Sequence, residues 1–438
     1  MCKKARRISR TTIMALLAAV LVAVLVMPVD GASAASKTYR YKPKNDSNTT
    51  RYTVVAKRQD RIKYRWGGYV TTIRTEKNSS YKNTYTKEKV FAIKTYKGYV
   101  LDKVYVDGVN RGAVTSVVFP EGTTGNHTIK ATFKRVATFI MIDPGHETGT
   151  NKGCYVKGLG RYYEGNQMWY LANRLKAYLE KYPNVVVGMT KSSMKIGDKQ
   201  IGVYPRGVKA KGYDIFISMH SNYVSSPHVD YPLAIVSSSK GLQSVSGKLG
   251  KNLATKMKST MGLRNALQVW QKKDKYGNEW FGVIRGSASV KVPGILLENS
   301  FHSNPRVCKY LMTSTKRNTL AKNYAAVIAS YYGISQNGSL ATPRTPEGFR
   351  SSGKKGGANI SWYQVPGATG YQIYRSESPS GGFRWIRTTN NSDSMSYSDT
   401  DSKLRRNKRY YYKVRSVRNT PSSTKYSGYS RVDYATVK

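Results

Sequence analysis

Acidic residues are scarce in this 438-residue chain: 24 Asp and Glu stand against 73 Lys and Arg, for a formal net charge of +49. An imbalance of that size predicts attraction to a polyanion and says nothing about the fold. Cysteine is scarcer, with three in all. Cys2 precedes the apolar N-terminal run, so it is not placed as a lipoprotein cysteine. The other two, Cys154 and Cys308, exclude a disulfide-dense scaffold. Their separation is compatible with one bridge and equally with two free thiols. Beyond residue 29 no apolar run approaches the ~20 residues that cross a bilayer. Zinc-finger spacing, a recognition-helix signature and an aromatic RNA-binding motif are all missing, so nucleic-acid binding rests on charge alone.

What is present suffices for two to four domains, because 39% apolar residues can build ordinary cores. Residues 1–34 read as a signal peptide: five Lys/Arg residues, an apolar run from Ile13 to Met27, then the small-x-small site Ala32-Ser33-Ala34. The competing reading is an uncleaved anchor, which Pro28 and the small-residue site disfavour. Cleavage would leave a net charge of +45, spread as +15 over residues 35–136, +18 over 137–340 and +12 over 341–438. An exported chain of this charge meets anionic wall polymers and membrane surfaces before it meets nucleic acid.

Residues 37–136 alternate in YTVVAKR, KVFAIKTY, YVLDKVYVDG, TSVVF and HTIKATF, as half-buried strands must. Asp107-Gly108 is a hairpin signal. The expectation is a small β-sandwich-like module, and its second half resembles β-rich modules found beside bacterial surface enzymes. Over 137–333 the pattern changes to apolar strands (TFIMID, NVVVGMT, DIFISMH, LAIVSS, LQVWQ, GILLENSF) alternating with helices, which argues for an α/β sheet. In the first helix Met168, Leu171, Leu175 and Leu179 recur at helical steps and form one apolar stripe. A Ser/Asn/Gly/Pro-rich linker at 334–343 follows. Residues 344–438 carry Trp362 in a short strand, and Leu404 stands six residues before Tyr410 in the strand-like run RYYYKV. That spacing resembles the tyrosine corner of fibronectin type III domains, which implies a β-sandwich serving as spacer or binding module.

Chemistry-bearing residues gather at predicted strand ends of the central domain. His146 closes FIMIDPGH, His220 closes DIFISMH, Glu298 closes GILLE, and Glu164 opens the first helix. Open α/β sheets bind ligands at the carboxyl ends of their strands. A carboxylate at a buried strand end needs a partner or a metal. Two histidines and one carboxylate with an open position make a catalytic zinc set, and a further carboxylate can serve as general base.

In order and spacing, MIDPGH, YYEGNQM, PRGVKAKGYDIFISMHSN and VPGILLENSFHSNP resemble the zinc-dependent N-acetylmuramoyl-L-alanine amidases of bacterial cell walls. The resemblance spans about Ala137 to Tyr332. It implies that His146, Glu164 and His220 hold Zn2+ and that Glu298 is the catalytic carboxylate. The substrate it implies is peptidoglycan, cut at the amide between the lactyl group of N-acetylmuramic acid and L-alanine. Arg206, Asn222 and Asn304 fall at motif positions with orienting or packing roles. Where the family usually has Gly after the first histidine, this chain has Glu147, either a solvent-facing loop charge or a group that tunes the site. The stretch 147–163 is irregular and Gly-rich, which allows the loop between the first two ligands to be repositioned. His302 could lie near the cleft or in a loop, and His228 and His127 have no evident partner. The expectation is therefore a secreted, wall-associated peptidoglycan hydrolase, held at the wall by flanking modules and by pairing of its basic surface with anionic wall polymers. The other class of answer is a non-catalytic wall-adhesion protein with a degenerate amidase core, against which the intact set of four site residues argues.

Overall fold

The computed structural model describes residues 38–40, 51–55, 68–74, 89–120, 123, 126–390 and 392–438. The expected signal peptide at 1–34 lies outside them. Among the described residues no helix is long and apolar enough to cross a membrane.

The N-terminal strands form two four-stranded sheets, one ordered Thr38–Arg40, Ser116–Phe119, Lys89–Thr95, Gly68–Arg74, the other Arg51–Val55, Asn126–Arg135, Tyr99–Val106, Val109–Asn110. Phe91, Val104, Val117, Phe119 and Ile129 share one core between them. Asp107 and Gly108 form the expected tight turn, both at positive φ (51° and 78°), and pair Val106 with Val109. His127 does have a partner: its Nδ1 lies 2.9 Å from Asp107 Oδ2.

The central domain contains β1 (Thr138–Pro144), β2 (Lys152–Val156), β3 (Gly160–Tyr163), α1 (Glu164–Leu179), β4 (Val185–Met189), α2 (Asp198–Ile201), α3 (Val203–Val208), β5 (Ile215–Asn222), β6 (Leu233–Val236), α4 (Lys240–Met261), β7 (Gln268–Trp270), α5 (Gly282–Ser289), β8 (Gly294–Phe301), α6 (Pro305–Met312) and α7 (Ser314–Tyr331). Six strands make one sheet in the order β4-β1-β5-β8-β6-β7. Neighbours are parallel except for β6 and β8, which run antiparallel. Every residue of β1 is buried, as in a strand covered on both faces. Its side chains divide by period two. Ile140 and Ile142 join the core under α1, α4 and α7, while Phe139 and Met141 join the one under α5. In α1 the buried stripe is Met168, Leu171, Ala172, Leu175 and Leu179.

Segment 334–343, read as a linker, is packed and not a free spacer: Ile334 bridges Leu340 and both enter the central core. The C-terminal strands form a three-stranded and a five-stranded sheet around Trp362, Tyr371, Ile373, Tyr410, Tyr412 and Val414. The Tyr410 hydroxyl accepts from Arg405 N at 3.1 Å and donates to Lys403 O at 3.5 Å, closing the corner expected there. Residues from all three regions meet in one buried cluster. Arg135 pairs with Asp214 at 2.5 Å, and Ser392 hydrogen-bonds both partners.

Candidate metal centre

Parallel pairing brings the predicted residues to one sheet edge. β1 and β5 are neighbours, so His146 and His220 come together beyond adjacent strand ends, and His220 stands directly opposite Glu298 in the β5–β8 register. The turn after β1 requires Gly145, because a Cβ there would lie 2.4 Å from the His220 ring. His146 itself adopts φ 52°, a left-handed conformation that side chains rarely take. Its carbonyl accepts from the buried Lys191 ammonium, which holds the turn in place. Beneath the site Asp143 and Arg206, both essentially without solvent contact, pair at 3.0 Å, and Ser218 Oγ donates to the same carboxylate at 2.7 Å. Arg206 therefore braces the end of β1 from below.

Glu164, at the start of α1, sits between the histidines. Its Oε1 lies 3.0 Å from His220 Nδ1 and accepts from Ser221 N at 2.9 Å, while its Oε2 lies 3.5 Å from His146 Nε2 and accepts from Asn151 Nδ2 at 2.7 Å. Burial raises its pKa, but the His220 hydrogen bond, the two imidazoles and Asn151 outweigh burial and bring the carboxyl down to about 2. For His220 burial works downward, and the Glu164 and Glu298 carboxylates more than reverse it. One ligand atom from each of His146, Glu164 and His220 lies within 4.8 Å of the others.

Glu298 is set apart from this triplet. The residue is half-buried, its Oε2 is buried with no hydrogen-bond partner, and burial carries its carboxyl up to about 8, with Glu164 adding to the rise against His220. All four residues line one cavity of about 490 Å³, with Asn151, Lys152, Ser221, Asn222, Tyr223 and His302. The donor set fits a divalent zinc ion: two imidazoles and an ionised carboxylate converge, and nearby stands a carboxyl whose charged form an added cation would favour.

The sequence placed His302 near the cleft or in a loop; it lies in the cavity wall. Its Nδ1 donates to Ser221 O at 2.9 Å, its ring stacks on Tyr162 at 5.5 Å, and burial lowers its pKa. His228 is exposed and away from the cavity. Asn222 lines the cavity and accepts His302 N through its carbonyl. Asn304 caps α6 by accepting from Arg306 N and Val307 N. Glu147 is half-buried with its carboxylate against Gly197, where a Cβ would come within 1.7 Å of Oε2. Cys154 and Cys308 are free thiols that donate to Ser303 O and His302 O behind the cavity wall. Asn151, Ser221 and Tyr162 were not singled out from sequence, since their roles exist only through contacts across the fold.

Residues 140–330 match the model of the N-acetylmuramoyl-L-alanine amidase family. The central domain is an amidase catalytic domain. The amidase domain is similar to the catalytic domain of CwlV, an N-acetylmuramoyl-L-alanine amidase from Bacillus (Paenibacillus) polymyxa var. colistinus, at 21% identity over 45% of this chain and 99% of that one, TM-score 0.37. Cwp6 from Clostridium difficile matches at 21% identity over 44% of this chain, TM-score 0.37, and only 29% of Cwp6 is covered. A Fn3-like protein from Clostridium thermocellum also matches, at 26% identity over 22% of this chain and 93% of that one, TM-score 0.18. Among curated proteins none matches the chain.

Proposed function

We propose that the chain is an exported, zinc-dependent peptidoglycan hydrolase. On this reading it cleaves the amide between the lactyl group of N-acetylmuramic acid and the L-alanine of the stem peptide. The observation that carries the reading is one cavity holding an ionised His-Glu-His triplet and, apart from it, a carboxyl with a partnerless buried oxygen. His146, Glu164 and His220 would hold the zinc. When bound, the ion supplies a Lewis acid that polarises the scissile carbonyl and lowers the pKa of water.

Glu298 handles the protons. Burial holds its carboxyl at about 8, and a cation held by His146, Glu164 and His220 would favour its ionised form at neutral pH. As a carboxylate it takes the proton of the attacking water and returns it to the leaving nitrogen, which is a poor leaving group unless protonated. Asn151 and Ser221 N hold Glu164 in place, and Asp143 with Arg206 fixes the end of β1. Residues 1–34 act as the export signal, and the mature chain associates with the wall. The flanking β modules and the basic surface hold it there, by pairing Lys and Arg with phosphates of anionic wall polymers.

The test is digestion of purified peptidoglycan by the mature chain, with and without zinc, beside Glu298→Ala, with products read by mass spectrometry. Stem peptides beginning at L-alanine, released by wild type and absent with the variant, are the expected result. Stoichiometric zinc without cleavage of any wall preparation would overturn the reading.

A further inference from the structure

The outer face of the five-stranded C-terminal sheet carries a row of cations that amide cleavage does not use. Along the strand Arg409–Asn419, Tyr410, Tyr412 and Val414 turn into the core, which leaves Arg409, Tyr411, Lys413 and Arg415 on the opposite face. Each cation rests on exposed aromatic rings. Arg409 lies 4.2 Å from the Tyr434 ring centre, Lys413 lies 4.0 Å from that of Tyr429, and Arg415 lies 4.1 Å from that of Tyr426. The Arg415 Nε also donates to Gln372 Oε1 at 2.9 Å, which fixes the direction of its fork. Ring faces hold cations in place without neutralising them.

Carboxylates do not neutralise them either. Among the described residues no Asp or Glu pairs with Arg409, Lys413 or Arg415. Five of the six acidic side chains of the C-terminal module are engaged elsewhere: Asp399 and Asp401 with Arg375, Glu377 with Lys408, Glu347 near Lys248, and Asp433 with Ser351 N; the sixth, Asp393, lies in the electrostatic surroundings of Asp214 and Tyr99. Tyr426, Tyr429 and Tyr434 keep 41% to 48% of their surface in solvent, so the face is open. From Arg409 to Arg415 the strand runs about 20 Å at ~3.4 Å per residue, a length that suits consecutive units of a linear chain better than one isolated anion. Guanidinium and ammonium groups pair with phosphate oxygens, and the rings between them offer flat apolar surfaces to sugar or polyol units.

We propose that this face binds a phosphodiester-linked polymer of the cell wall and so holds the amidase domain beside its substrate. The location rests on the wall-hydrolase reading above; the recognition chemistry does not. The experiment compares full-length wild type with Arg409→Gln/Lys413→Gln/Arg415→Gln by co-sedimentation with purified walls, intact or acid-stripped of phosphodiester polymer. The variant should bind intact walls at least about tenfold more weakly. Its slope of log affinity against log salt should be shallower by about two, at ~0.7 per lost contact with a single-stranded polyanion. Stripped walls should hold both proteins equally and weakly.

A second variant, Arg409→Lys/Arg415→Lys, keeps the charge and should retain most of the affinity, with both variants melting like wild type. Equal wild-type binding to intact and stripped walls would overturn the proposal, as would undiminished binding by the glutamine variant. Loss in the lysine variant matching that in the glutamine variant would also overturn it, as would DNA displacing the protein as well as the extracted polymer does. Stem-peptide release by wild type is measured on the same preparations. A chain that binds the polymer yet releases no stem peptide leaves this proposal standing and removes the amidase reading.

Discussion

Glu298→Gln should make the metal-free protein more stable while disabling the zinc-loaded one. At pH 7 the carboxyl is ionised in the unfolded chain, with an ordinary value of 4.5, whereas burial holds it at about 8 in the fold. Folding at pH 7 must therefore take up a proton across two and a half pH units, and at 1.36 kcal/mol per unit that opposes folding by about 3 kcal/mol. Glutamine keeps the shape and is neutral at every pH. Because the folded value is raised, the contribution of Glu298 to stability is whole below pH 4.5. It declines as pH rises and is fully lost once pH passes about 8. The two proteins should thus melt together at pH 4 and separate by about 6–12 °C at pH 7, taking ~2–4 °C per kcal/mol for a domain of this size.

Calorimetry on chelator-treated full-length protein, following the amidase-domain transition, reads this directly. Zinc should close the gap, because a cation beside the carboxyl lowers its pKa. Equal melting at pH 7, or the same separation at pH 4 as at pH 7, would refute the reasoning. In the zinc-loaded enzyme the same substitution should lower kcat by ~10²–10⁴, the usual weight of a general acid–base group.

His220→Ala removes a proposed zinc ligand and the group facing Glu164, so on this reading metal analysis should fall from one zinc per chain toward none and turnover should vanish with it, whereas Glu298→Gln should keep its zinc. Asp214→Ala strands Arg135, which is 4% exposed and shared between the regions, and should destabilise the protein to urea by about 3–5 kcal/mol. The double change Arg135→Met/Asp214→Leu should recover more than half of that loss, since no unpaired charge remains. Tyr410→Phe deletes a hydroxyl that both accepts and donates, and should lower the stability of the C-terminal module by about 1 kcal/mol in thermal melts.

The site residues were legible because parallel strands buried on both faces read as unbroken apolar runs, so the polar residue that ends each run marks the ligand-binding edge. His146, His220 and Glu298 stand out for that reason, and Glu164 because it opens an amphipathic helix. The β2–β3 hairpin was hidden: GCYVKGLGRYY looks irregular, yet Gly158 and Gly160 at φ 81° and 84° turn it back on itself and place Asn151 against Glu164. Helix α5, GVIRGSAS, is too short and too rich in Gly and Ser for periodicity to reveal. Alternation carries no direction, so the antiparallel course of β6 had no sequence signal. In 334–343 a loop-like composition concealed two core residues, Ile334 and Leu340.

The charge imbalance and the tuning of the site follow from different physics. A surface charge acts over a Debye length of ~8 Å at physiological salt, so most of the surplus Lys and Arg cannot fix the protonation of a buried carboxyl. Among the described residues Lys152 is the only lysine or arginine lining the cavity. The two glutamates there are driven apart by burial and by their immediate neighbours. Glu164, bonded to His220, Ser221 N and Asn151, is held at about 2, while Glu298, with a buried oxygen left unpartnered, rises to about 8. Environments that separate two like groups in this way suit them to different roles, which on the proposed reading are a permanent anion and a proton carrier. The scarce carboxylates can then serve the chemistry while the abundant cations outside face a polyanion, and neither function constrains the other.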